Sequence, residues 1–256
     1  MIKVFRNLRQ GVFTERKFSN YLIYALGEII LVVIGILIAL AINNSNQQRI
    51  TRQKEQIYLQ GLRIEFQISK AKLQELMAVN KQNYEGASEL IQLMSDESGT
   101  VGERQFSELL YNTFAFDIAF NPNNSLLQEM ISSGSLKDIS DTELRKYLTN
   151  WLSTLEDIAK QENELGVRRE KVLDMLTGEA YSLRTILTET GILQSLLGEE
   201  KGSSSSGNLK LLKSTEFENN VLMFILSSHA TETAHYQPLM QELDTILTLI
   251  NKDIQK

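Results

Sequence analysis

The chain has two histidines, His229 and His235, with Glu232 between them. At i, i+3 and i+6 on a helix these side chains fan over about 120° of arc. Glu232 and His235 make a Glu-x-x-His pair, half of the set that carboxylate-bridged di-iron bundles bring from two helices. No second such pair occurs in the sequence, so the stretch reads as a polar, partly exposed helical segment holding neither metal nor cofactor. Glu162 and Arg169 interrupt an apolar seam elsewhere and could meet polar groups around Ser227–His235. Glu162, Arg169, His229, Glu232 and His235 are therefore the candidate members of a polar network inside a bundle. Breaks of this kind more often fix helix register or sit at a wet part of a bundle than build a ligand pocket.

Catalytic machinery is hard to assemble from what remains. The sequence contains no phosphate loop, no glycine-rich dinucleotide fingerprint and no G-x-S-x-G elbow. With no cysteine, disulfides, thiolate zinc sites, cysteine nucleophiles and a lipidated cysteine are all excluded. Two histidines give little acid–base capacity near neutral pH. The expectation is a protein that is not an enzyme and has no catalytic residues.

The elements that would position these residues begin with Tyr21–Ile42, 22 residues with one charge, Glu28, and no proline. At 1.5 Å per residue such a helix reaches roughly 33 Å, enough for a hydrocarbon core of about 30 Å. The apolar run is longer than the h-region of a cleaved secretory signal, and residues 1–20 precede it, so an uncleaved anchor is expected. Glu28, Gly35 and Ala39 share a face, with Gly35 and Ala39 forming a small-xxx-small pair that lets two backbones approach. Glu28 either belongs to an assembly face, reaches toward Lys17 and the headgroups, or titrates on an ion path.

Lys3, Arg6, Arg9, Arg16 and Lys17 stand before the span against Glu15, while Arg49, Arg52 and Lys54 follow it against Glu55. This bias puts the N-terminus in the cytoplasm and residues 43–256 beyond the bacterial inner membrane. Residues 1–20 read as a basic amphipathic leader lying on the headgroups, with breaks marked by Gly11 and Asn20. The formal net charge of −6 argues against nucleic acid as a partner. Only Pro122 and Pro238 could interrupt helices.

Residues 43–256 should form a periplasmic bundle of the four-helix type. A stalk helix over about 47–95 carries Leu62, Phe66, Leu73, Leu76, Ala87, Leu90 and Met94, with polar gaps at Ser69, Asn80 and Asn83, and could continue the span. A helix over about 103–116 follows, then the loop Asn121–Asn124, a short helix through Ile131 and a stop at Ser132-Ser133-Gly134. Ser140-Asp141-Thr142-Glu143 reads as a capping box opening a long helix from Leu144 to Leu176. A shorter helix around 180–197, a flexible loop near 198–208 and a second box at Thr215–Glu218 complete the pattern. Pro238 should kink or divide the last section.

FSNYLIYALGEIILVVIGILIALAINN, NSLLQEMISSGSLKDISDTELRKYLTNW and the section from Phe217 through Ile254 resemble an uncharacterised, single-pass membrane-protein family common in Bacteroidota. Ser45 departs from it, standing where many members carry tryptophan. The resemblance implies a membrane location and a single-pass topology, and brings no activity and no site residues with it. All-α architecture and a non-enzymatic envelope role, in self-assembly or partner binding, are the joint expectation. A homo-oligomeric channel or ion-coupled subunit using Glu28, or a periplasmic ligand sensor acting through a partner, are the alternatives.

Overall fold

Every regular element among the described residues is helical, as 3.6-residue periodicity and scarce proline require. The computed structural model describes residues 15–96, 101–198 and 207–254, with side chains from Tyr21 onward. The first helix, α1, runs Glu15–Ser95, so the span and the stalk are one helix and Asn20 does not break it. Residues 1–14 of the leader, including Gly11, lie outside the described residues. The chain divides into two compact units between Gln56 and Ile57. In the first, every side chain from Tyr21 through Ile42 is exposed except that of half-buried Ala25.

The second unit, from Ile57 onward, contains α2 (Glu103–Phe114), α3 (Ser125–Ser132), α4 (Thr142–Thr177), α5 (Leu183–Glu189), α6 (Ile192–Leu197), α7 (Thr215–Ala230) and α8 (Gln237–Ile254). Within it α1 buries Leu59, Leu62, Phe66, Leu73, Ala87 and Leu90. The polar gaps Ser69, Asn80 and Asn83 occupy the same stripe and are buried with them. The α4 seam, from Leu144 through Leu148, Trp151, Ile158, Leu165 and Val172 to Leu176, steps by three, four or seven, the seven-residue steps being filled by half-buried Leu155, buried Glu162 and half-buried Arg169. Trp151 is fully buried, its ring 5.1 Å from that of Phe66, and Phe114 meets Phe224 at the same separation. A Cβ added at Gly61 would collide with Leu126, so α1 and α3 approach closely there.

Helix ends differ from expectation by small, physically legible amounts. The α4 cap is Asp141, whose carboxylate accepts the Leu144 N–H at 2.9 Å, where Ser140 was expected. Ser214 caps α7 by accepting from Phe217 N–H at 3.2 Å, and Thr215 is already helical. Both sequences offer adjacent residues able to cap, and periodicity cannot choose between neighbours. Gly134 takes φ 71° and stops α3, as its freedom from a Cβ penalty allows. The helix expected over 180–197 is two, α5 and α6, divided by Gly191 at φ 76°. Of the loop expected near 198–208, residues 199–206 lie outside the described residues. Asn208 is fully buried and exchanges two hydrogen bonds with the Ser182 backbone, at 2.8 and 2.9 Å.

Division of the last section precedes Pro238. Thr231–Tyr236 is a π-helical turn in which the Gln237 N–H reaches the Glu232 carbonyl, five residues back. Proline cannot donate to Ala234 four residues earlier, which favours a change of ladder at this point.

Candidate functional site

The loop 115–124 between α2 and α3 is tied down by polar side chains from α1 and α4, all buried or half-buried except that of exposed Lys72. Ser69 accepts the Asn123 N–H at 3.0 Å, and Lys72 donates to the Asn121 carbonyl at 2.9 Å. From α4, Glu162 accepts the Phe120 N–H at 2.9 Å. Two turns along, Arg169 donates from Nε to the Phe114 carbonyl at 2.9 Å and from Nη2 to Ala115 at 3.4 Å. A cation at the C-terminus of α2 satisfies carbonyls that have no partner within the helix.

Glu162 has a second donor. The buried Tyr236 hydroxyl, at the end of the π turn, donates to the same Oε1 at 2.6 Å. Burial pushes the Glu162 carboxyl above the usual carboxylate range; the bonds from Tyr236 and Phe120 oppose that shift, and the nearby Asp117 charge adds to it. Burial, reinforced by the Glu162 charge, pushes the Tyr236 hydroxyl far upward, so it stays protonated and serves as a donor. Beside this pair, Gln161 donates to Thr231 Oγ1 at 3.0 Å. Across the π turn, Asn80 Nδ2 is shared between the Ser228 carbonyl and Glu232 Oε2, both at 3.2 Å.

Of the five residues expected to cluster, Glu162 and Glu232 join α4 and α1 to the last helical section through Tyr236 and Asn80. Arg169 turns instead toward α2, because its long fork reaches the carbonyls at that helix end. His229 is exposed, with its ring edge-on to Tyr84 at 6.3 Å, and His235 is half-buried. Neither forms a hydrogen bond or ion pair with the other three candidates among the described residues. No group of three or more His, Asp or Glu there could hold a metal ion. Tyr236 and the Phe120 backbone were not legible beforehand: a tyrosine outside a 3–4 pattern and a loop amide leave no periodic signal. An open cleft of about 420 Å³ is lined by Phe120 with Lys72, Glu75, Leu76, Val79, Ala119 and Asn121. The arrangement can hold a proton on Glu162 and fix a loop.

Fold and site together define an all-α bundle protein with, among the described residues, one helix long and apolar enough to cross a membrane. The chain belongs to the family of unknown function DUF6090, which matches residues 28–173, more than half of its length. The match runs from Glu28 into the last turns of α4 and leaves α7 and α8 outside. No curated protein and no solved structure matches the chain.

Proposed function

We propose that this chain is a non-enzymatic envelope protein, anchored in the bacterial inner membrane by residues 21–42, with a cytoplasmic N-terminus and a periplasmic helical bundle that serves self-assembly or partner binding. The anchor rests on one observation. An 18-residue window of α1 has mean hydropathy 2.9 and none of it is buried, whereas a soluble core helix of that composition would be covered. Orientation is supported by the five-to-three excess of basic residues before the span. The absence of catalytic motifs, together with a Glu162 carboxyl engaged by Tyr236 and a backbone amide, supports a binding role over chemistry.

Alkaline phosphatase fused after Lys256 tests this. The fusion should be active, and protease added to spheroplasts should remove the bundle. An inactive fusion with full protection rejects the orientation, and release by alkaline carbonate rejects the anchor.

A further inference from the structure

The first helix carries a second, exposed pattern that the bundle does not use. Within the second unit Ile57, Ile64 and Ala71 are exposed at seven-residue steps, and Gln60, Gln67 and Gln74 are exposed three residues after each. Ile57 is 68% and Ile64 55% exposed. This is the a/d spacing of a coiled coil, with β-branched residues at two a positions and glutamine at every d. The stripe lies on the side of α1 away from Leu59, Leu62, Phe66 and Leu73, which the bundle covers.

No a or d position carries a charge for five turns. Lys70 pairs with Asp244, and Lys72 turns to Asn121 and Asn123. Arg63 is half-buried and flanks the stripe on its glutamine side, about 40° around the helix from Gln67. Buried Glu65 holds the α3 N-terminus by accepting Leu126 N–H at 2.7 Å, and Glu75 closes the stripe.

The glutamines indicate what covers it. In a parallel, in-register pair each seam residue meets its own copy. A lysine or glutamate there would face its like charge, whereas a glutamine carries both donor and acceptor and can bond its twin. An Ile/Gln seam without charge is electrostatically complementary to itself. We infer that residues 57–74 form a parallel, in-register contact between two copies of this chain. The inference rests on the proposed membrane anchor: so short a seam with polar d layers is weak in free solution, and anchored copies share one orientation and a raised effective concentration.

The chain has no cysteine, so single-cysteine variants report cleanly. In native membranes, oxidation should cross-link Ile64→Cys and Gln67→Cys at least about tenfold faster than Leu226→Cys, an exposed apolar position on α7. The product should contain two copies of this chain and nothing else. Adding Ile64→Lys to the Gln67→Cys variant should slow its cross-linking about tenfold, and Ile64→Val should not. Ile64 is exposed, so unchanged circular dichroism shows that the bundle persists in these variants. Equal rates at 67 and 226, preference for 226, adducts with a different protein alone, or indifference to Ile64→Lys overturns the seam. Carbonate extraction of the same membranes reports on the anchor separately, and the ratio of rates judges the seam whichever fraction holds the protein.

Discussion

Glu162 is a carboxyl whose two hydrogen bonds both arrive at Oε1, leaving Oε2 to carry a proton without losing either donor. Because burial raises its folded-state pKa, the folded chain keeps a proton here at pH values where the unfolded chain has released it. The stability this contributes is fully present below the ordinary value of 4.5 and is lost as pH rises through the raised value. Glu162→Gln keeps a carbonyl for both donors and removes the titration. Its denaturation midpoint should therefore gain on the parent as pH rises above 4.5, read by the fluorescence of Trp151, the sole tryptophan. Glu162→Ala leaves the Tyr236 hydroxyl and the Phe120 amide without this acceptor and should cost about 1–3 kcal/mol at low pH. Trp151 itself is fully buried against Phe66. Trp151→Ala should cost about 3–5 kcal/mol in urea denaturation followed by circular dichroism, and a change near zero would contradict its place in the core.

Among the elements, the last helical section shows how one extra residue is absorbed. Its buried positions Val221, Phe224, Ser228, Thr231, Tyr236, Leu239, Leu243 and Ile246 step by three or four except between Thr231 and Tyr236, where the step is five. The π turn takes up the surplus and keeps both halves facing the core. Deleting exposed Thr233 should therefore restore a step of four, put both halves in one α-helical register that lacks only the Pro238 bond, and keep a cooperative thermal transition. Deleting Thr245 from ordinary helix rotates all that follows by about 100°, turning Ile246 and Ile250 off the seam, and should abolish that transition. Periodicity made the seams of α1 and α4 legible, including Glu162 as a break in α4. It could not reveal the π turn, because a five-residue step looks like an ordinary loss of pattern after His229. Nor could it reveal that Ser69 and Glu162 hold one loop, since their partners at Asn123 and Phe120 are backbone amides that every residue type offers.

For the molecule as a whole, assembly through the face of Glu28, Gly35 and Ala39 remains the expectation within the membrane. There Gly35→Leu should weaken cross-linking between spans more than Leu37→Ala, because close backbone approach depends on the small residue. Equal effects would remove that face from the interface. The long apolar helix and the helical bundle were readable because 22 residues with a single charge and long seams of core residues are strong, local signals. Which helices meet was not, because those contacts join distant parts of the chain. Asn80 bonds Ser228, Tyr84 meets His229 and Lys70 pairs with Asp244, so the earliest helix of the bundle is covered by the last ones. That pairing sets a clock during synthesis. Leu59 through Leu90 leave the ribosome well before the residues from Phe217 to Ile250 that complete their surroundings, a delay on the order of ten seconds at 5–20 residues per second. Throughout that interval the apolar stripe stands open on the nascent chain, made early and covered last.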